Sequence, residues 1–215
     1  MTTEKGSVRD TYYKGEVQML SMTGDIGSIL NEVTSGRSLR KKDVIRRVLD
    51  ILVGLSLKGY EGKAVGTIFL VGDIEGIRRH TSQMIINPFK GWKDINIMDE
   101  KQQLTFEAFS QLDGAFVVDS RGYAHYAGRM IMVQPERSCE PEDTKQMRTD
   151  RKGTGTRWRA AKYITEKTRT VAITLSNRGD ITVFERGKEI GRIERRIIRI
   201  KESELPKFLV ESDTR

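Results

Sequence analysis

Two short segments of the chain combine residue types that suit metal and phosphate chemistry. In the first, the carboxylate Asp113 is followed by Gly114 and by an apolar run that starts at Ala115. A carboxylate beside a glycine can hold a hard cation, because the backbone approaches closely there. In the second, residues 155–159 carry two arginines around a tryptophan, directly after a Gly-Thr-Gly-Thr run. Since the planar fork of arginine matches phosphate, the two segments together predict nucleotide chemistry.

Further motifs precede these segments, at residues 62–73 and 87–91, and Ser176 follows them. The order of these motifs resembles that of the diadenylate cyclase domain family, which condenses two ATP molecules into cyclic di-AMP. The resemblance is to its soluble, stand-alone form of archaeal type. It runs from about residue 39 to about residue 187. The matching motifs are residues 62–73, 87–91, 112–115 and 155–159, with Ser176 at the place of the serine in a Ser-Glu pair.

The resemblance implies a role for each matching residue. Asp113 is the expected catalytic residue and the expected ligand of a divalent metal, Mg²⁺ or Mn²⁺. ATP is the expected substrate, and self-association into at least a face-to-face dimer is expected, because each ATP would attack the other. The expected nucleotide-binding residues are Gly114, Ala115, Gly155, Thr156, Arg157, Trp158, Arg159 and Ser176.

Two positions depart from the family pattern. Trp158 replaces a histidine between the two arginines, and Asn177 replaces the glutamate of the Ser-Glu pair. An indole has one donor and no titratable proton, so a histidine acting as general base would have no substitute here. A histidine that only packs and orients the arginines could be replaced by tryptophan. Asn177 can offer an oxygen but no charge, and Arg178 could add a phosphate contact.

These departures leave a second function open, a nucleotide-binding sensor on the same fold that has lost its catalytic activity.

A more remote alternative is a nucleic-acid-binding protein. It rests on the net charge of +8 and on five cations that alternate with isoleucines near the end of the chain. A helix or strand with one solvated side explains that alternation better, and an electropositive surface near an ATP pocket would fit the cyclase resemblance equally well. The sequence therefore does not favour nucleic acid as a partner. The five cations are Arg192, Arg195, Arg196, Arg199 and Lys201.

Composition indicates an ordinary globular chain. Its 215 residues suffice for one domain, and its single cysteine, Cys139, cannot form an internal disulfide. The first ten residues are polar, and the most apolar window, residues 48–57, is too short to cross a bilayer. We expect a cytoplasmic protein without a membrane partner. A Gly-rich loop that ends in Gly-Lys-Ser/Thr is missing, which argues against a P-loop.

The elements that must position the two segments follow from apolar periodicity. Residues 38–59 have helical spacing, with Ser38 as the expected cap, and we expect Lys41 on the solvated face. Residues 101–112 form the expected helix before Asp113, whereas residues 78–84 fit a helix or a turn. Short apolar runs bounded by turn residues predict strands. These runs are residues 65–71, 115–119, 123–132, 170–176 and 181–185.

The predicted fold class is α/β, a single domain with a central mixed, twisted β-sheet flanked by helices. We expect an irregular N-terminal lead-in at residues 1–37, the cyclase-like domain at 38–190, and a basic C-terminal extension at 191–215 that packs on the domain. Residues 134–154 are polar throughout and predict a mobile lid or a dimer-contact loop. Arg148, Arg151 and Lys152 of that loop could reach a polyphosphate.

Overall fold

The structure is a computed structural model that describes residues 8–9, 16–33, 39–133 and 155–201. Its helices are α1 (Ile26–Glu32), α2 (Leu39–Lys58), α3 (Ile74–Arg79), α4 (Gln103–Phe109) and α5 (Thr156–Lys167), with a 3₁₀ turn at Glu100–Gln102 before α4. Its strands are β1 (Val8–Arg9), β2 (Glu16–Thr23), β3 (Thr67–Val71), β4 (Thr81–Gln83), β5 (Ala115–Val118), β6 (Ala124–Ile131), β7 (Val171–Leu175), β8 (Ile181–Glu185) and β9 (Lys188–Lys201).

These strands form one sheet in the order β1-β2-β9-β8-β7-β3-β5-β6-β4. The neighbours β3 and β5 are parallel, and every other pair of neighbours is antiparallel. The sheet is therefore mixed. The prediction of an α/β fold with one mixed sheet flanked by helices is confirmed.

Helices cover both faces of the sheet. α1, α2 and α4 pack on one face around a core that includes Phe69 and Phe116, whose rings stack with centroids 4.5 Å apart. α3 and α5 pack on the other face, where Ile68 and Leu70 belong to the core. Because both faces are covered, β3, β5, β7 and β8 are buried along their whole length, which explains why their sequences are mostly apolar. The exceptions are Thr67, Thr174, Thr182 and Glu185, which are also buried.

The long helix α2 follows the predicted spacing, and its apolar residues from Val44 to Leu55 are buried against the sheet. It ends at Gly59, which has a φ of +67° and donates its N–H to the Leu55 carbonyl. The predicted cap, Ser38, lies outside the described residues. The expectation that Lys41 is solvated is wrong. Lys41 is buried, because α2 begins against the sheet, and its ammonium lies 3.4 Å from the Arg169 carbonyl oxygen.

Other elements differ from expectation or extend it. Residues 78–84 contain the end of α3 and the edge strand β4, not one helix or turn. In the described part of the lead-in, β2 pairs with β9, which also pairs with β8.

The predicted domain boundaries at 37/38 and 190/191 stay a prediction. The predicted loop at residues 134–154, which contains Cys139, lies outside the described residues. No helix among the described residues is long and apolar enough to span a membrane.

Candidate functional site

The strand register gathers the predicted site residues at one end of the sheet. β3 and β5 are parallel and start there, so the glycines that precede them, Gly66 and Gly114, lie at the same end. β7 is antiparallel to β3 and finishes at this end, where Ser176 follows it. The helix α5 also begins at this end, since Gly155 and Thr156 line the same cavity as Gly114 and Ser176.

A cavity of about 1000 Å³ opens at this end of the sheet. Of the residues predicted to form the site, only Arg159 is not part of its wall, and Arg159 is exposed elsewhere on α5. The structure thus brings together residues that are far apart in sequence. The predicted residues in the cavity wall are Asp113, Gly114, Ala115, Gly155, Thr156, Arg157, Trp158 and Ser176.

The turn before β5 requires glycine at two facing positions. Gly114 has a φ of +99°, and a β-carbon on it would lie 2.8 Å from the backbone nitrogen of Arg129. Gly128, just before Arg129, has a φ of +70°. Both values lie in the left-handed region that glycine adopts at little cost. Gly114 therefore lets β6 pack directly on the backbone that carries Asp113, and Gly128 leaves room for the Ile85 side chain.

Asp113 offers an exposed carboxylate in the cavity wall, and it makes no hydrogen bond or ion pair with another described residue. The described residues contain no group of three or more His, Cys, Asp or Glu side chains that could hold a metal ion. Mg²⁺ is commonly bound by one or two carboxylates, with phosphate and water oxygens as the other ligands. Asp113 thus fits an ion that arrives with a polyphosphate. Two further carboxylates, Asp180 and Glu194, line the same cavity, and Asp180 accepts the Arg195 N–H.

The first turn of α5 presents backbone donors that have no partner among the described residues. Gly155 precedes the helix in extended conformation, and no side chain among the described residues caps it. The Arg159 N–H bonds to the Gly155 carbonyl, which leaves the amides of Thr156, Arg157 and Trp158 without an intrahelical acceptor. With the positive end of the helix dipole, such amides form an anion site.

Arg157 is held in the cavity wall by Asn177. Its Nη1 donates to the Asn177 Oδ1 at 3.3 Å. Gly66 lies against this pair, because a β-carbon there would collide with the Asn177 Oδ1 and would lie 2.6 Å from the Arg157 Nη1. One departure from the family pattern, Asn177, therefore orients an arginine that the family pattern retains.

The other departure, Trp158, is anchored within the protein. Its indole N–H donates to the Glu189 carboxylate at 3.1 Å, and its ring meets Phe184 edge to face with centroids 5.3 Å apart. Glu189 also accepts two hydrogen bonds from Arg192. Burial alone would raise the pKa of Glu189, but the bonds from Arg192 and Trp158 outweigh burial and lower it. Trp158 thus helps to hold an ion pair whose arginine lines the cavity.

Ser176 closes the turn between β7 and β8. Its hydroxyl oxygen accepts the Asp180 N–H at 3.1 Å, which leaves the hydroxyl proton free to donate. Arg178, in the same turn, is exposed and lines the cavity. The turn therefore adds one hydroxyl donor and one cation to the wall.

Sequence reasoning did not assign several cavity residues to the site. Arg192 and Arg195 line the cavity and belong to the basic alternation near the C-terminus, for which the sequence offers a nucleic-acid surface, a solvated side or an electropositive surface near an ATP pocket. Met84, Met130 and Arg129 come from the sheet edge formed by β4 and β6. The sequence signal for Arg129 was an arginine in β6 that is flanked by Gly128 and Met130.

Comparison with known proteins gives consistent matches. Residues 55–189 match the family described as DisA bacterial checkpoint controller nucleotide-binding, DAC. A protein of Methanocaldococcus jannaschii named diadenylate cyclase is 31% identical over 150 residues, which are 69% of this chain and 45% of that protein. One of Haloferax volcanii with the same name is 34% identical over 152 residues, which are 70% of this chain and 52% of that protein. The chain spans about half the length of these curated relatives.

A solved structure overlaps more weakly. The crystal structure of a hypothetical membrane spanning protein from Bacillus cereus matches with a TM-score of 0.45 and 16% identity, over 68% of this chain and 62% of that one. A likeness of that size carries no conclusion about this chain.

Proposed function

We propose, since the chain belongs to the diadenylate cyclase (DAC) family, that it condenses two ATP molecules into cyclic di-AMP and releases pyrophosphate. The observation that carries this proposal is the cavity in which Asp113 lies with the uncapped start of α5 and Arg157. The Asp113 carboxylate suits a divalent metal, and Arg157 and the backbone amides suit a polyphosphate, which together support nucleotidyl transfer.

Each group in the wall has a part in the proposed reaction. The 3′-oxygen of one ATP attacks the α-phosphorus of the other, the bond from that phosphorus to its bridging oxygen breaks, and pyrophosphate leaves. The hydroxyl proton passes to the Asp113 carboxylate or to water. Arg157 and the free amides of α5 hold the triphosphate and the charge that develops on it. The same step with the roles exchanged closes the ring.

A divalent metal, Mg²⁺ or Mn²⁺, would lower the charge cost at the phosphates when bound. Asp113 would be its ligand from the protein, and phosphate and water oxygens would complete its shell. Asp113 is exposed in the cavity wall, as this role requires.

Two copies must meet with their cavities face to face in this reaction, because one cavity positions one ATP. Exposed apolar side chains at the cavity support self-association there. Met84 and Met130 line the cavity and are well exposed, and Ile86, two residues from Met84, is 90% exposed. Exposed apolar groups of this kind mark contact surfaces.

A nucleotide-binding sensor is the second candidate, and Trp158 is the observation that favours it, because an indole cannot transfer a proton. The packing of Trp158 supports the cyclase instead. Its N–H donates to Glu189 and its ring packs against Phe184. Trp158 therefore positions its neighbours, a role that requires no proton transfer. Asn177, which stands where the family pattern has glutamate, still accepts a hydrogen bond from Arg157.

Mass spectrometry of the products formed from ATP with Mg²⁺ or Mn²⁺ tests the proposal. Cyclic di-AMP from the purified protein is the expected result. ATP binding without any product would favour the sensor, and Trp158→His with Asn177→Glu would then be the reversions to assay. Binding of DNA or RNA that weakens with salt and ignores ATP would favour a nucleic-acid function.

The variant Gly66→Ala is expected to weaken ATP binding by about 10-fold or more, because the added methyl group displaces Asn177 and Arg157. A charge-assisted hydrogen bond to phosphate is worth roughly 1.5–3 kcal/mol, which corresponds to that loss. Calorimetric titration with ATP measures it. Gly54→Ala is the matched control, because nothing lies within 4 Å of a β-carbon at Gly54. Equal affinities of the two variants would contradict the role given to Gly66.

A further inference from the structure

Arg129 is a buried cation in the wall of the cavity. Its exposure is 7%, although arginine is among the residues least often buried. Its guanidinium is fixed from β4. The Nε donates to the Thr81 hydroxyl at 2.6 Å, and the Nη2 donates to the Thr81 carbonyl at 2.6 Å and to the Arg78 carbonyl at 3.4 Å. The Nη1 has one long bond, 3.5 Å to the Gln83 amide oxygen.

All of these acceptors are neutral. Among the described residues, no carboxylate forms an ion pair with Arg129. Its ring neighbour, Tyr126, lies 4.7 Å from the guanidinium carbon and gives only a cation–π contact. Burial lowers the pKa of Arg129 below its ordinary value, Tyr126 raises it, and the nearby charge of Arg78 lowers it further. Arginine nevertheless stays charged in proteins.

A buried charge without a counter-charge is costly. The other buried cation of the described residues, Lys41, is close enough to Glu185 and Asp73 for both to raise its pKa against the lowering effect of burial. Among the described residues, Arg129 has no carboxylate that compensates its burial in this way. An anion that enters the cavity would provide it.

The position of Arg129 indicates which part of a ligand it would meet. Arg129 pairs across the strands with Ala115, and the backbone of Gly114 packs on its nitrogen, so it lies directly beside the Asp113 turn. Arg157 approaches from the opposite side of β5, where it contacts Asn177 and the glycine before β3. In the strand order β3-β5-β6, Asp113 therefore lies between the two arginines.

We propose that Arg129 is a second polyphosphate-binding arginine of this site, acting from the β6 side as Arg157 acts from the α5 side. The proposal rests on the proposed function, in which the cavity takes ATP. The Nε and Nη2 are fixed on Thr81, and the Nη1 is the nitrogen left to bind a phosphate oxygen. Because the fork is held in place before the ligand arrives, little ordering is required on binding.

A purely structural role for Arg129 predicts a different result for ligand binding. Its bonds to Thr81 tie β4 to β6, and a residue that only ties these strands would affect every ligand of the cavity alike. A phosphate contact affects ATP and spares adenosine, which lacks phosphate. The comparison of the two ligands therefore separates the two roles.

The experiment is calorimetric titration of Arg129→Gln and Arg129→Lys with ATP and with adenosine, with a melting curve for each variant. We expect Arg129→Gln to bind ATP about 10-fold to 100-fold more weakly and adenosine unchanged, and Arg129→Lys to recover part of the ATP affinity because it keeps the charge. Arg121→Gln is the control, since it removes an exposed cation of the β5–β6 turn that does not line the cavity.

Unchanged ATP affinity in Arg129→Gln, or equal losses for ATP and adenosine, would overturn the proposal. If Arg129→Gln does not fold, the test uses Arg129→Lys. Equal losses of affinity for ATP and adenosine in Arg129→Lys would also overturn the proposal. Failure of the unaltered protein to bind ATP would instead refute the proposed function itself. The two failures are therefore distinguishable.

Discussion

The variant Asp113→Asn is expected to form cyclic di-AMP at least about 10³-fold more slowly than the unaltered protein. Asparagine keeps the shape of the side chain but loses the charge that would hold a metal and the oxygen that would accept the hydroxyl proton. General-base assistance alone is worth about 10²-fold to 10⁴-fold, and a lost metal ligand adds to that. Product formation over time, followed by mass spectrometry, gives the rate.

The fold should not change in this variant. Asp113 is exposed and has no hydrogen bond or ion pair with another described residue, so removal of its charge takes no contact from the described part of the chain. Surface substitutions of that kind usually alter stability by less than about 0.5 kcal/mol. Asp94→Asn, which changes an exposed carboxylate outside the cavity, is the matched control. Turnover near the normal rate in Asp113→Asn would refute the assignment of Asp113.

The parts of the fold that the sequence predicted are those fixed by local periodicity. α2 has seven apolar residues at helical spacing, and β3 and β7 are short, mostly apolar runs whose length predicts a buried strand. β4 has the polar sequence Thr-Ser-Gln, whose strand conformation depends on its pairing with β6. Lys41 is buried because α2 starts against the sheet, which its own helix does not reveal.

The site residues likewise divide into those that local sequence predicts and those that only the fold brings to the cavity. Asp113 and the residues around Gly155 stand in compact motifs whose composition by itself suggests phosphate chemistry. Arg192 enters the cavity because β9 is the next strand beyond β8, and its orientation depends on Glu189. Arg129 depends on register shifts between β5 and β6, which change the face to which successive residues point. Only tertiary pairing fixes these two residues.

Loss of the dimer is expected to remove turnover while ATP binding persists. Each 3′-hydroxyl attacks the α-phosphate of an ATP held by the other copy, so an isolated chain binds its substrate with no second reactant in place. Dilution tests this directly. Where most chains are single, a tenfold dilution should lower product formation per chain about tenfold by mass action, whereas the ATP bound per chain at saturation stays constant.

The variant Ile86→Lys tests the same requirement at a fixed concentration. Ile86 is 90% exposed beside the cavity methionines, and in a two-fold contact a lysine there would place like charges on both copies. We expect fewer dimers in sedimentation and a matching fall in product formation, with ATP affinity unchanged. Leu104→Lys is the control, because Leu104 is 65% exposed on α4, which packs on the opposite face of the sheet from α5. A single-chain form of Ile86→Lys that makes cyclic di-AMP at the normal rate would contradict the face-to-face reaction, since one cavity would then position both nucleotides.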